Sequence, residues 1–120
     1  MASLPYPMKL TVPVGDSITL RWTQPRDLYT GQAIDLSAYD DVEFAAAPVG
    51  QDTPALAITA GPKLYIELLQ SRITALLYSS DTTLLGIGEF DLQCRLKIGA
   101  NTRHTLQPYH RLILIASPLA

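Results

Sequence analysis

Apolar and polar residues alternate with a period of two along most of this chain. Phe90, Leu92, Cys94, Leu96 and Ile98 are interleaved with Asp91, Gln93, Arg95 and Lys97. A helix would scatter those five apolar side chains around its circumference, whereas a strand puts all of them on one face. Ile18, Leu20 and Trp22 alternate with Thr19, Arg21 and Thr23, and Val42, Phe44 and Ala46 with Glu43, Ala45 and Ala47. Residues 8–14 follow the same rule, with Met8, Leu10, Val12 and Val14 against Lys9, Thr11 and Pro13. Proline lacks the N–H an inner strand must donate, so this strand belongs at a sheet edge or ends at Pro13. Gly15-Asp16 then supplies a tight connection into the Ile18 strand.

Shorter signals fill the rest. Residues 55–58 predict a brief strand, joined to the Phe44 strand through a hairpin connection at Gly50-Gln51-Asp52-Thr53-Pro54. Residues 112–116 are apolar on both faces, which predicts a central strand covered on both sides. Gly99-Ala100-Asn101 reads as a hairpin turn between the Phe90 strand and residues 103–106. Residues 63–80 fit two descriptions. Pro62 could open a helix with Tyr65, Leu69, Ile73 and Leu76 on one stripe. Alternatively two strands break near Gln70-Ser71, with Leu64, Ile66 and Leu68 inward on the first and Ile73, Ala75 and Leu77 on the second. Leucine content favours the helix and the neighbouring strands favour the second reading, so both stay open. Ser80 to Leu85 predicts one helical turn capped by Ser80 or Asp81. Seven to nine short strands with turns every 8–12 residues is the pattern of an all-β sandwich, with Trp22 as its core anchor.

Composition narrows the class. At 120 residues the chain makes a single domain, residues 1–120, with short arms at 1–7 and 117–120. Charged residues make up 17 %, against a usual share of about 25 %. Nine Lys+Arg against eleven Asp+Glu leave no basic excess to hold a nucleic-acid backbone. No apolar run approaches the roughly 18 residues of a membrane span. Met1 is followed by Ala-Ser-Leu-Pro instead of a basic and then apolar leader, so folding in a cytoplasm is expected. One cysteine cannot form an internal disulfide framework.

The inventory for chemistry is thin. Cys94 sits on the apolar face of the best strand and reads as a small buried hydrophobe. His104 and His110 flank Pro108 without a zinc-type partner set, which suggests surface or turn positions. Asp40, Asp41 and Glu43 lack the loop of spaced ligands that calcium requires. Gly86-Ile87-Gly88 precedes a strand, where a dinucleotide fingerprint must open a helix. No Gly-x-Ser-x-Gly occurs. The expectation is a non-enzyme with no catalytic residues, no cofactor and no metal. Tyr6, Tyr29, Tyr39, Tyr65, Tyr78 and Tyr109 are spread so that no strand face carries more than one, which argues against a stacked sugar platform.

Three stretches carry a resemblance. They are Gly15-Asp16-Ser17-Ile18-Thr19-Leu20-Arg21-Trp22, then Gly31-Gln32-Ala33-Ile34-Asp35-Leu36-Ser37 leading into Val42-Glu43-Phe44, and Asp81-Thr82-Thr83-Leu84-Leu85 followed by Gly88-Glu89-Phe90-Asp91-Leu92-Gln93. In order and character they resemble the immunoglobulin-like N-terminal domain of tailed-phage upper baseplate proteins and related small virion modules. The resemblance implies an immunoglobulin-like β-sandwich and favours two strands over residues 63–80. It implies a structural protein of a virion (head, neck, tail or baseplate) that contacts other virion subunits and copies of itself as a homo-oligomer. Nucleic acid and membrane are not expected partners. The resemblance covers residues 15–117, so the attachment role of that family's helical and receptor-adaptor parts is not carried over. The apolar arms and the first strand are the expected contact surface, through Leu4, Tyr6, Met8, Leu10, Val12 and Leu119. The competing reading is a stand-alone carbohydrate-binding or adhesion module, which would be a monomer with a ligand platform.

Overall fold

The computed structural model describes residues 8–98, 101–107 and 110–117. In chain order the elements are β1 (Met8–Pro13), β2 (Ile18–Thr23), β3 (Arg26–Asp27), β4 (Asp41–Pro48), β5 (Leu56–Thr59), β6 (Leu64–Glu67) and β7 (Arg72–Leu77). A short helix α1 (Ser79–Leu85) precedes β8 (Gly88–Ile98), β9 (Asn101–Gln107) and β10 (His110–Ile115). The chain is all-β. Among the described residues there are ten strands where the sequence pattern suggested seven to nine, because β3 is only two residues long and too short to leave a period.

β8 is the spine of the larger sheet, whose order runs β1-β10-β8-β4-β5. Along one side β8 pairs with β4 from Asp41↔Lys97 to Pro48↔Phe90. Its other side is shared, β10 covering the first half through His110↔Leu92 and β9 the second through Arg95↔Thr105. β1 lies parallel to β10 at the edge, where its proline does no harm. The smaller sheet runs β2-β7-β6. β1 and β2 therefore lie in different sheets, and the Gly15-Asp16 turn is the crossing point between them. Gly15 takes φ +95° there, a conformation costly to any residue with a Cβ.

The two inner faces meet in one apolar core. Trp22 on β2 lies 6.3 Å from Phe44 on β4, ring centre to ring centre. Phe90, Leu92, Cys94 and Leu96 are buried beside them, as are Leu112 and Leu114. Ile98 departs from the pattern. It is the last residue of β8 and is exposed. β10 is an inner strand of its sheet, but its outer side is only half covered. Ile113 is half-buried and Ile115 exposed, so apolar residues on both sides did not mean cover on both sides. Ile98 pairs with Asn101 and so closes the expected hairpin, although Gly99 and Ala100 lie outside the described residues.

Residues 63–80 form two strands joined by a 3-10 turn at Leu68–Gln70, followed by the start of α1. Ile73, Ala75 and Leu77 are fully buried on β7, which is paired on both sides, by β2 and β6. Two ladders and a buried face outweigh the modest helix propensity of the leucines. Ser71 at φ 49° makes the turn between the strands, and Glu67 clasps it by accepting from Arg72 Nε at 3.1 Å and Thr74 Oγ1 at 2.6 Å. Leu68, expected inward, belongs to that turn and is exposed. α1 begins at Ser79 with Tyr78 at its N-cap, two residues before Ser80 and three before Asp81, the caps expected from sequence. Asp81 is its third residue, and its Oδ2 accepts the Tyr78 N–H at 2.7 Å.

Candidate functional site

Three places on this frame gather side chains that could do more than fill the core. The first is the excursion between β2 and β4, which folds over β9. Asp27 organises it. Its Oδ1 accepts the backbone N–H groups of Tyr29 and Thr30 at 2.8 and 2.9 Å, and its Oδ2 lies 2.7 Å from His104 Nδ1. Gln107 Nε2 donates to the Asp27 carbonyl, and the Leu28 N–H to the Thr105 carbonyl. Tyr39 meets the His104 ring edge to face at 5.5 Å. Burial pushes the Asp27 carboxyl up, but the His104 bond and the two amides outweigh it and hold the group below its ordinary value. Leu36, at the far end of this excursion, is buried in the core, with Asp35 capping its short 3-10 turn. The cluster fixes a loop. Both carboxylate oxygens of Asp27 are engaged in it.

The second place is His110. A surface or turn position was expected, but the side chain is buried at the start of β10, with its ring 5.4 Å from Trp22 in an edge-on contact. The alternation of β10 explains this, since His110, Leu112 and Leu114 share the inward face. Its Nδ1 has no hydrogen-bond partner among the described residues. Burial lowers the imidazole's pKa, so it stays neutral. Cys94 is likewise enclosed on β8, and burial pushes its thiol far up and out of reach of reagents. Among the described residues no three of His, Cys, Asp or Glu gather into a metal-holding group. No helix there is long and apolar enough to cross a membrane.

The third place is the end of the sandwich where α1 meets β8. Leu84 and Ile87 are 69 % and 71 % exposed, and Val49, on the turn after β4, is exposed close by. Val49, Leu85, Ile87, Pro48 and Ala55 line a hollow of about 580 Å³ at this end. Ile115 finishes β10 one residue beyond the Leu114–Gly88 pair and adds a further exposed aliphatic side chain. The end is rigidly mounted. The Thr82 hydroxyl accepts the Gly15 N–H at 3.0 Å and donates to the Asp16 carbonyl at 2.9 Å. Lys63 pairs with Asp81 at 2.6 Å and lies over the Tyr78 ring. The turn between the sheets and the short helix are thus one unit.

Of the contact residues expected from sequence, Leu4, Tyr6 and Leu119 lie outside the described residues. Met8 is 54 % exposed at the edge of the larger sheet, while Leu10 and Val12 are partly buried against the core. The apolar end was not anticipated. Ile87 stands between two glycines and Leu84 in a helix of only seven residues, so neither belongs to a period long enough to show a face. No protein-family model matches this chain, and no curated protein matches it.

Proposed function

We propose that the chain is a structural subunit of a tailed-bacteriophage virion, an immunoglobulin-like interaction module that docks against other subunits and copies of itself. The observation that carries the reading is the apolar hollow lined by Val49, Leu85 and Ile87, with Leu84 exposed on the adjoining helix, on a frame poor in charge. Contiguous apolar side chains rimmed by polar ones mark interaction sites on soluble domains. The strand order supports the immunoglobulin-like part. The sheet containing β10, β8, β4 and β5 in that order faces β2-β7-β6, as the G-F-C-C′ strands face B-E-D in variable-type domains. The three stretches that carry the resemblance lie at the joints of this frame. One launches β2, one plugs Leu36 into the core before β4, and one forms α1 before β8.

Mass spectrometry of purified particles from the source phage tests the reading directly. The chain is expected in fixed copy number, and its absence from intact particles ends the proposal. Sedimentation of the purified chain should show association that Leu84→Asp with Ile87→Asp abolishes. Deleting residues 1–7 should leave folding intact while weakening association or incorporation. A chain that stays monomeric at high concentration, with no change on either alteration, sinks the assembly reading.

A further inference from the structure

We infer that the outer face of the larger sheet carries a binding groove for a neutral oligosaccharide. The groove lies over β4 and β8, with a volume of about 580 Å³, inside the roughly 300–1,000 Å³ usual for small-molecule clefts. Its floor is low because Ala45 and Ala47 point outward from β4, opposite Gln93 and Asp91 on β8. The β4–β5 turn, with Gln51 and Asp52, forms one wall. Tyr29 also lines it, 61 % exposed, with its backbone held by the Asp27 clasp that fixes the excursion on β9.

The lining is the kind that recognises hydroxyl groups. Gln93 Oε1 accepts from Arg95 Nη2 at 2.7 Å, which fixes the amide plane and leaves its NH2 as a pre-set donor. Asp91 is fixed from its other side by Arg111 Nε at 3.0 Å. Asp52 and Gln51 offer exposed acceptors and a further amide, and the Tyr29 ring offers a flat apolar face with a hydroxyl tip. Planar polar side chains held by neighbours, beside one aromatic face, match a ring that is apolar on its faces and polyhydroxylated on its rim.

Other ligand classes fit worse. Two carboxylates stand against one guanidinium in the lining, so a phosphate or another polyanion meets no excess of cations. A peptide strand would need an open edge, but β4 is paired on both sides by β5 and β8, and β8 by β4, β9 and β10. The walls are too polar for a purely apolar ligand. The expectation from sequence, that sugar binding needs several aromatics on one strand, misses this site because its aromatic comes from a loop and its polar groups from β8 and the β4–β5 turn.

The test is titration of the 15N-labelled chain, followed by amide spectra, with cellohexaose, xylohexaose, maltohexaose and chitohexaose. Each is carried to about 10 mM, well past the millimolar affinities of weak recognition. At least one should shift the amides of Ala45, Ala47, Gly50 to Asp52, Gln93 and Arg95. Tyr29→Ala and Gln93→Ala should each weaken that binding about tenfold or more, with otherwise unchanged spectra showing that the variants fold. Tyr65→Ala, on β6 of the other sheet, should leave it unchanged. The inference is overturned by no response to any of the four, by shifts elsewhere, or by binding indifferent to both groove variants. Occupation of the groove by a heparin fragment or a peptide in place of all four also overturns it. The result is independent of particle composition, so its failure leaves the virion reading where it stands.

Discussion

The interior between the sheets and the excursion between β2 and β4 are held by opposite means. In the interior, Trp22, Phe44, Leu92 and Leu96 are enclosed by other apolar side chains, and stability follows from area removed from water. In the excursion, one carboxylate accepts from two amides and a histidine, and much of the loop's order on β9 passes through it. Apolar burial is spread over many contacts, so any one loss is felt by the whole fold. A polar clasp concentrates its effect in a few bonds, so its loss should loosen a segment first.

The largest effect should come from the interior. Trp22→Ala should destabilise the whole protein by about 3–5 kcal/mol, the usual range for a buried aromatic cut to alanine. Leu92→Ala should cost about 2–5 kcal/mol on the same grounds. Both are read as shifts of the urea midpoint with an unchanged slope. A neutral Leu92→Ala would show that the inward face of β8 is misassigned.

Asp27→Ala should cost less, about 1–3 kcal/mol, because it leaves the two amides and His104 without their acceptor while the loop can open to water. Amide exchange should accelerate at Tyr29, Thr30 and Gly31 well before it does on β8. Uniform acceleration everywhere would mean that the clasp and the core are one cooperative unit, and the contrast between them would fail.

Acid should separate the two regions again. His110 has its pKa lowered by burial, so the unfolded chain takes up a proton more readily than the folded one. Its contribution is complete above the ordinary value of 6.5 and declines as pH falls below it. Asp27 is held below 3.8, so its contribution is complete above 3.8 and is lost only as pH falls further. Melting temperature should therefore fall in two stages on acidification. His110→Leu should flatten the first stage and Asp27→Asn the second. A first stage that persists in His110→Leu would assign it to another group.

The same contrast explains what the sequence could disclose. Period-two alternation is local, so β8, β4 and β2 and their inward faces were legible from neighbouring residues. Failures cluster where that period ends. Ile98 stands at the end of β8 and Leu68 in the turn after β6, and pattern alone carries no record of where burial stops. His110 reads as a surface residue by type, but its register with Leu112 and Leu114 turns it inward. The Asp27–His104 contact joins residues far apart in sequence, and the apolar end and the groove are assembled from turns with no period. Strand chemistry was readable, while the surfaces that could bind anything depend on tertiary placement.

The smallest effect expected is on a reaction that should hardly proceed. Cys94 is enclosed on β8 between strands β4, β9 and β10, and burial holds its thiol protonated at neutral pH. Only the thiolate attacks a disulfide reagent, so modification must wait for the interior to open. Its labelling rate should follow global unfolding, fall as stability rises, and rise in Trp22→Ala by the factor that equilibrium destabilisation dictates. Asp27→Ala should raise it only by its smaller share, even while the amides of the excursion exchange freely. Labelling of the native protein within seconds, or a rate that tracks the opening of the excursion, would show that β8 is reached through a local door and that the interior is less unified than its packing implies.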